Sequence, residues 1–470
     1  MISGTPSPHL LDEILRTVTR RYQVPEMPVP SGPVGEASPA ERLAIAIEQA
    51  RRAVVHGKVP DGSLKRRFAD ALADMVREAI HPDSGDPAFQ AMVLRHRAAP
   101  VREFASLSAR AEGDRRVVLA AVNAVAHPNR QQRMAPGWQR EALADLHASA
   151  ASASWSALRG IAQRLVGSPD NEDDAPVAPG LARLLDNPAL QRLQRIEALG
   201  ADQLVRRYVS LWDRVGPRPG SATALAQGVS AQQRGAGAEA LAAQALHAMA
   251  RRLNEAEGDD APYRVVTSLR VPASIPASHE RAKTEWDVVL LRRASPIDGL
   301  PAWDVCLLVE VKASVDAATT DFPRLLRGIR LLAHATDDAA YAFESRQGTV
   351  CLQGASLGAL SASEAELRRT VLYCCDARAE TAPRLLGAAS RMQLLSADES
   401  LAFASHLAAS EHADARELEP LWHSLLESER WKTVLNQYAT LHQVRGLMVH
   451  TEDLHGAIDQ ATLNQAVGNG

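Results

Sequence analysis

Two apolar runs in this chain carry charge where a strand can least tolerate it. TEWDVVLL places Glu285 and Asp287 in a β-prone stretch, and VCLLVEVKAS places Glu310 and Lys312 in the next. Side chains of a strand alternate between faces, so Glu285 and Asp287 share a face, and so do Glu310 and Lys312. Runs this apolar predict buried strands, in which an uncompensated ionised group costs several kcal/mol. Such charges have to be paired or hold a cation. Between the runs, RRASPIDGLPAWD contains the Pro and Gly that suit a hairpin loop joining antiparallel strands.

Carboxylates and an ammonium converging at a sheet edge are the equipment of a Mg²⁺-dependent phosphodiester hydrolase. The carboxylates supply hard oxygen ligands and the lysine positions or activates water. Asp287 followed by Glu310-Val311-Lys312 at the end of an apolar strand resembles the D…(D/E)xK signature of the PD-(D/E)xK nuclease superfamily. Upstream, SAQQRGAGAEALAAQALHAMARRL reads as a helix with Ser230 as its N-cap, and it holds Arg234-Gly235 followed by Glu239. This RGxxxE pattern resembles the Holliday-junction-resolvase-like branches. The resemblance covers roughly residues 225 to 400; Trp286 stands where the strict signature has proline.

The resemblance implies an α/β restriction-endonuclease-like core with a mixed sheet. Its catalytic residues would be Asp287, Glu310, Lys312 and Glu239. The implied ligands of Mg²⁺ or Mn²⁺ are Asp287, Glu310, the Val311 carbonyl and Glu239, with nucleic acid, DNA favoured, as substrate. Arg324, Arg327 and Arg330 recur at helical spacing after the strands and form a ridge able to meet phosphates, as does Arg234 at the start of its helix. Solvated helix faces are the alternative.

Lysine is rare here, occurring only at positions 58, 65, 283, 312 and 432. That makes its presence in ExK informative, because arginine is a permanently charged flat fork and cannot stand in for a compact ammonium. The structural alternatives are a Glu310–Lys312 ion pair on an exposed edge strand, or a Glu285–Lys283 pair near a turn.

A chain of 470 residues is expected to form two or three domains. After a Pro-rich leader at 1–37, Ser38, Pro39 and Glu41 predict an N-cap, an N1 proline and a capping box. Ala/Leu/Arg-rich periodicity then predicts an all-α domain over 38–213, broken by the acidic linker GSPDNEDDAPVAPG. The α/β region is expected over 225–400 and a helical segment over 401–470. The net charge of −4 excludes a globally basic nucleic-acid binder, so any attraction to nucleic acid has to be local. Cys306, Cys351, Cys374 and Cys375 have neither zinc nor disulfide spacing and read as small buried hydrophobes. Those unpaired cysteines point to a reducing compartment, so the expected setting is cytoplasmic, a delivered effector or toxin being the other, and no apolar run approaches membrane-spanning length. The helical half is a candidate surface for a protein partner, and the α/β region could alternatively be an inactive nuclease-fold scaffold.

The rival chemistry is GASLG, a GxSxG match with Ser356 as nucleophile and with Asp376 and His406 downstream in hydrolase order. A hydrolase would need alternating strands before the elbow, and mostly helix precedes it. His442, His450 and His455 lack the i, i+4 spacing of a helical zinc pair.

Overall fold

The computed structural model describes residues 9–24, 26–27, 37–167, 177–217, 220–258, 262–297, 299–380, 384–409 and 413–468. The chain forms two compact units. One comprises 1–72, 219–394 and 418–470, and the other 73–218 and 395–417.

The first unit is organised by a seven-stranded mixed sheet. Its strands are β1 (Tyr263–Arg270), β2 (Glu285–Ile297), β3 (Leu300–Lys312), β4 (Ala340–Phe343), β5 (Val350–Gln353), β6 (Val371–Cys375) and β7 (Met448–His450). Strands β1, β2 and β3 form an antiparallel meander. The first half of β3 pairs in parallel with β5, and its charged second half pairs in parallel with β6, which pairs in turn with β7. The expected loop between the motif strands is mostly strand. β2 and β3 run almost to the turn, where Gly299 adopts φ +78°, a conformation open to glycine at little cost.

Alternation along the strands sorts their apolar residues into two cores. Val288, Leu290, Leu307, Val309 and Leu372 face a long helix, Ala222–Glu257, which packs through Ala242, Leu246, Met249 and Leu253. Val289, Leu291, Leu308 and Val371 face the helix Val315–Leu332, which follows β3 and packs through Phe322, Leu325 and Ile329. Both faces of the central strands are therefore covered, which explains why their sequences read as continuous apolar runs.

Several boundaries differ from the sequence reading. The supposed flexible leader contains the helix His9–Thr17, whose Leu11 and Ile14 are fully buried in the core that also holds Val288, Leu290 and Val309; residues 1–8, 25 and 28–36 lie outside the described residues. The long helix starts not at Ser230 but after Ser221, whose Oγ accepts from the Ala224 N–H. Continuing the helix through Gly228, Gly235 and Gly237 costs about 1 kcal/mol per glycine, offset by the alanines between them. Helix Pro39–Val55, with the Ser38 capping box as expected, belongs to the sheet unit rather than to the helical domain. Nearby, the Phe68 ring packs at a tilt against Trp422 and Lys65 pairs with Glu419 at 2.7 Å, which ties this stretch to the C-terminal helices. The C-terminal segment divides between the units and contributes β7, which its helical periodicity concealed.

The second unit is all helical among its described residues. Val118, Val122, Leu143, Leu158, Leu181 and Leu190 form its main core. An Arg192–Asp114 pair, bidentate at 2.6 and 2.8 Å, fastens the Pro188–Leu199 helix to Ala111–Ala126. Most of the acidic linker, 168–176, lies outside the described residues.

If the long helix docks through one face, Leu246→Ala, at a fully buried position, should cost about 2–5 kcal/mol. Leu241→Ala, at a site 44% exposed, should change stability by less than about 0.5 kcal/mol. Denaturant midpoints of the two variants check this, and equal shifts would contradict the docking.

Candidate active site

The charged ends of β2 and β3 meet where their ladder stops. Backbone pairing ends at Val288 opposite Val309. One residue further, the Asp287 carboxylate takes the place of a backbone acceptor and receives the Val311 N–H at 2.8 Å. On β3, Glu310 is fully buried, although the strand is central and not an exposed edge. Its Oε2 receives Lys283 Nζ and also Lys312 Nζ, the latter at 3.2 Å. Its Oε1 is buried and has no hydrogen-bond partner among the described residues.

Lys312 also reaches Asp321 of the Val315–Leu332 helix at 3.3 Å, and the Tyr373 hydroxyl of β6 donates to that aspartate at 3.3 Å. Glu310 and Tyr373 are register partners across β3 and β6, so the sheet itself sets this spacing. From the other side the long helix brings Glu239, paired with Arg346 at 3.7 Å. Of the residues that sequence reasoning placed in one site, Asp287, Glu310 and Lys312 come together at the ends of β2 and β3, whereas Glu239 lies near Asp287 but is engaged by Arg346 and makes no hydrogen bond or ion pair to them among the described residues. Glu285 stands at the strand end beside Arg270 at 3.6 Å, nearly half exposed.

The electrostatics follow from burial and crowding. Burial, then the neighbouring Asp287, pushes the Glu310 carboxyl up to about 8 despite the two ammonium groups. Burial pulls Lys312 down, but Glu310, Asp321 and Asp287 together outweigh it and leave the ammonium above its ordinary value. Burial and Asp287 raise Glu239, opposed by Arg346. Burial, Asp321 and Glu310 raise Tyr373, so its hydroxyl stays protonated and acts as a donor.

Lys283 is the residue that sequence reasoning missed. The sequence suggests only a partner for Glu285, yet Lys283 is buried and bound to Glu310. A clamp on the Val315–Leu332 helix holds it there. The Lys283 N–H donates to the Arg324 carbonyl at 3.1 Å, and Arg327 Nε donates to the Arg281 carbonyl at 2.7 Å. Arg324 Nε reaches the Ala282 carbonyl at 3.5 Å. Two members of the proposed phosphate ridge, Arg324 and Arg327, thus use their Nε in holding the loop; Arg330 and Arg234, exposed like them, make no such contact to it. Gly328 makes the contact possible, since a Cβ there would lie 2.6 Å from Lys283 Cβ and 2.9 Å from its carbonyl oxygen. The rarity of lysine, the signal that singled out Lys312, applied equally to Lys283.

Among the described residues, no group of three or more His, Cys, Asp or Glu side chains is arranged to hold a metal ion. Two carboxylates do converge, one with an unsatisfied buried oxygen. That donor set suits Mg²⁺, which commonly takes one or two carboxylates and fills its remaining positions with water and substrate phosphate.

The rival motif has a packing role. Gly354 donates its N–H to the Ala339 carbonyl at 2.7 Å, and a Cβ there would collide with the Thr336 carbonyl. Ser356 Oγ accepts the Val305 N–H at 2.8 Å and so caps part of β3, while His406 pairs with Glu417 at 2.7 Å within the helical unit. The four cysteines are free. Cys374 and Cys375 are buried, and burial pushes Cys306 and Cys374 up to about 12, so both remain neutral thiols. No helix among the described residues is long and apolar enough to cross a membrane. Searches of family models, curated proteins and solved structures find no match to this chain.

Two outcomes test the site's construction. Gly328→Ala gains about 1 kcal/mol in helix propensity, but overpacking against Lys283 should outweigh it and leave the protein about 1–2 kcal/mol less stable. Amine labelling of Lys283 should rise with it; unchanged stability and labelling would refute the clamp. The second concerns pH. Unfolded, Glu310 ionises in the usual carboxylate range, whereas folded it keeps its proton to about 8. Between those values the folded state binds more protons, so stability falls as pH rises, by up to about 1.4 kcal/mol per unit. The excess slope of wild type over Glu310→Gln, measured by denaturation from pH 5 to 8, should therefore be negative, and a zero or positive difference contradicts the shift.

Proposed function

We propose that this chain is a divalent-cation-dependent nuclease of the PD-(D/E)xK kind, acting on phosphodiester bonds of nucleic acid, with DNA as the favoured substrate. The observation that carries the reading is Glu310, a carboxylate sealed inside a central strand with one oxygen left bare beside Asp287. Leaving a buried acceptor unsatisfied costs about 1–3 kcal/mol, which a cation at that oxygen would remove. The order of elements supports the same reading: a long helix, an antiparallel meander, a helix packed on the sheet, and β6 returning parallel to β3.

Asp287 and Glu310 would hold Mg²⁺ or Mn²⁺, with the Val311 carbonyl and water filling further positions, while Glu239, paired with Arg346, stands outside that ligand set. When bound, the ion would neutralise phosphate charge and lower the pKa of a water molecule. Lys312, held between Glu310 and Asp321, would keep its ammonium directed at the attacking water and offset charge developing on the phosphorus oxygens. Asp321 and Tyr373 restrict Lys312 to that geometry. Arg330 and Arg234, both exposed, remain available to phosphates of the substrate backbone.

A second reading has its own observation. Lys283 and Lys312 both already donate to Glu310 Oε2, so Lys283 could serve as a built-in cation in a nuclease-fold scaffold that binds without cutting.

Incubating the protein with plasmid, linear duplex, single-stranded DNA and RNA, in Mg²⁺, Mn²⁺ or EDTA, separates the two. The nuclease reading predicts metal-dependent cleavage that Asp287→Ala and Lys312→Ala each reduce about 10²-fold or more. Absence of cleavage under every condition, or variants as active as wild type, would favour the scaffold.

A further inference from the structure

A second feature of the sheet unit has no part in that chemistry. The N-terminal helix His9–Thr17 and the turn after it form one wall of an open cleft of about 940 Å³. The other wall is the helix Glu364–Thr370 and the helix Gln437–Leu447. Arg16, Arg20, Arg368, Arg369 and His442 line it.

The balance of charge inside the cleft is positive. Its four guanidinium groups face two carboxylates, Asp12 and Glu26. Asp12 is already engaged by Arg369 at 3.5 Å. Arg368 pairs with Glu364, which is not part of the lining. Neither Arg16 nor Arg20 has a carboxylate partner among the described residues. Arg20 is the most constrained of the set. Its Nη2 donates to the Leu15 carbonyl at 3.1 Å, and its Nη1 is buried without any partner among the described residues. Burial, and then the like charge of Arg368, pulls Arg20 below its ordinary value. Two cations held close enough to disfavour one another, one of them with a buried donor unused, form a site that an anion would relieve.

We propose that this cleft binds a ligand carrying consecutive phosphate groups, through Arg20 and Arg368 with Arg16 and His442 beside them. Guanidinium groups present paired donors in a flat fork that matches phosphate oxygens bidentately, and several of them around one opening suit more than one phosphate. The same chemistry occurs in a free nucleoside polyphosphate and in the backbone of a nucleic-acid strand, and the cleft has room for either. The site is lined by other residues than the Asp287–Glu310 cluster, so its occupancy does not depend on the nuclease reading.

The test is calorimetric titration of the full chain, without divalent metal, using sodium pyrophosphate, ATP and a short single-stranded oligonucleotide as separate probes. Saturable binding is expected, weakening as salt rises. Arg20→Met and Arg368→Gln should each weaken it about tenfold, while Arg164→Gln, an exposed helix position in the other unit, should leave it unchanged. Binding of pyrophosphate and ATP assigns a free polyphosphate ligand, and binding of the oligonucleotide alone assigns a strand backbone; both support the site. Arg368 lies on an exposed face, so its variant serves as the measure should Arg20→Met melt early. No saturable binding of any probe at millimolar concentration, or equal affinity in wild type and Arg368→Gln, would overturn the proposal.

Discussion

Everything at the candidate site turns on one carboxylate placed where carboxylates are costly. Glu310 is on a central strand, covered on both sides, and is fully buried. The fold surrounds it with ammonium groups from two directions. Lys312 comes from the same strand, and Lys283 from a loop pinned to the neighbouring helix. Removing either lysine would strip a donor from a fully buried carboxyl, which is more damaging than losing an exposed ion pair. The arrangement thus constrains the loop, the helix that holds it, and the glycine that lets them touch. It still leaves one oxygen of Glu310 without a donor among the described residues, next to a second carboxylate.

The sheet supplies the precision. Antiparallel pairing of β2 with β3 ends just before Asp287, freeing its side chain to take the Val311 N–H. Parallel pairing of β3 with β6 sets Tyr373 beside Glu310 and lets the hydroxyl fix Asp321, which in turn steadies Lys312. Each position follows from register rather than from loop conformation.

Much of this was legible in the sequence. Charge in two apolar runs identified β2, β3 and the residues between which the site forms, because burial makes such charges hard to explain otherwise. Cap chemistry located the start of the Pro39–Val55 helix. What escaped was long-range. Lys283 sits in a loop that no periodicity marks, and its role depends on a contact through Gly328 some forty-five residues later in the chain. β7 is three residues long within a helical segment, and its pairing with β6 is invisible to a local pattern. The early start of the long helix shows the opposite failure, since the alanine-rich stretch before Ser230 is already helical and Ser221, not Ser230, caps it. Arg324 and Arg327 had the right spacing for a phosphate ridge, but spacing does not say which way a ridge faces, and both point their guanidinium groups at loop carbonyls.

The most direct test of this account is a crystal structure of the protein soaked in Mn²⁺, read by anomalous scattering. The account predicts an ion bound by Asp287 and by the second oxygen of Glu310, with Lys312 retained alongside. A saturating soak that leaves Glu310 held by its two lysines, with no ion between the carboxylates, would contradict it.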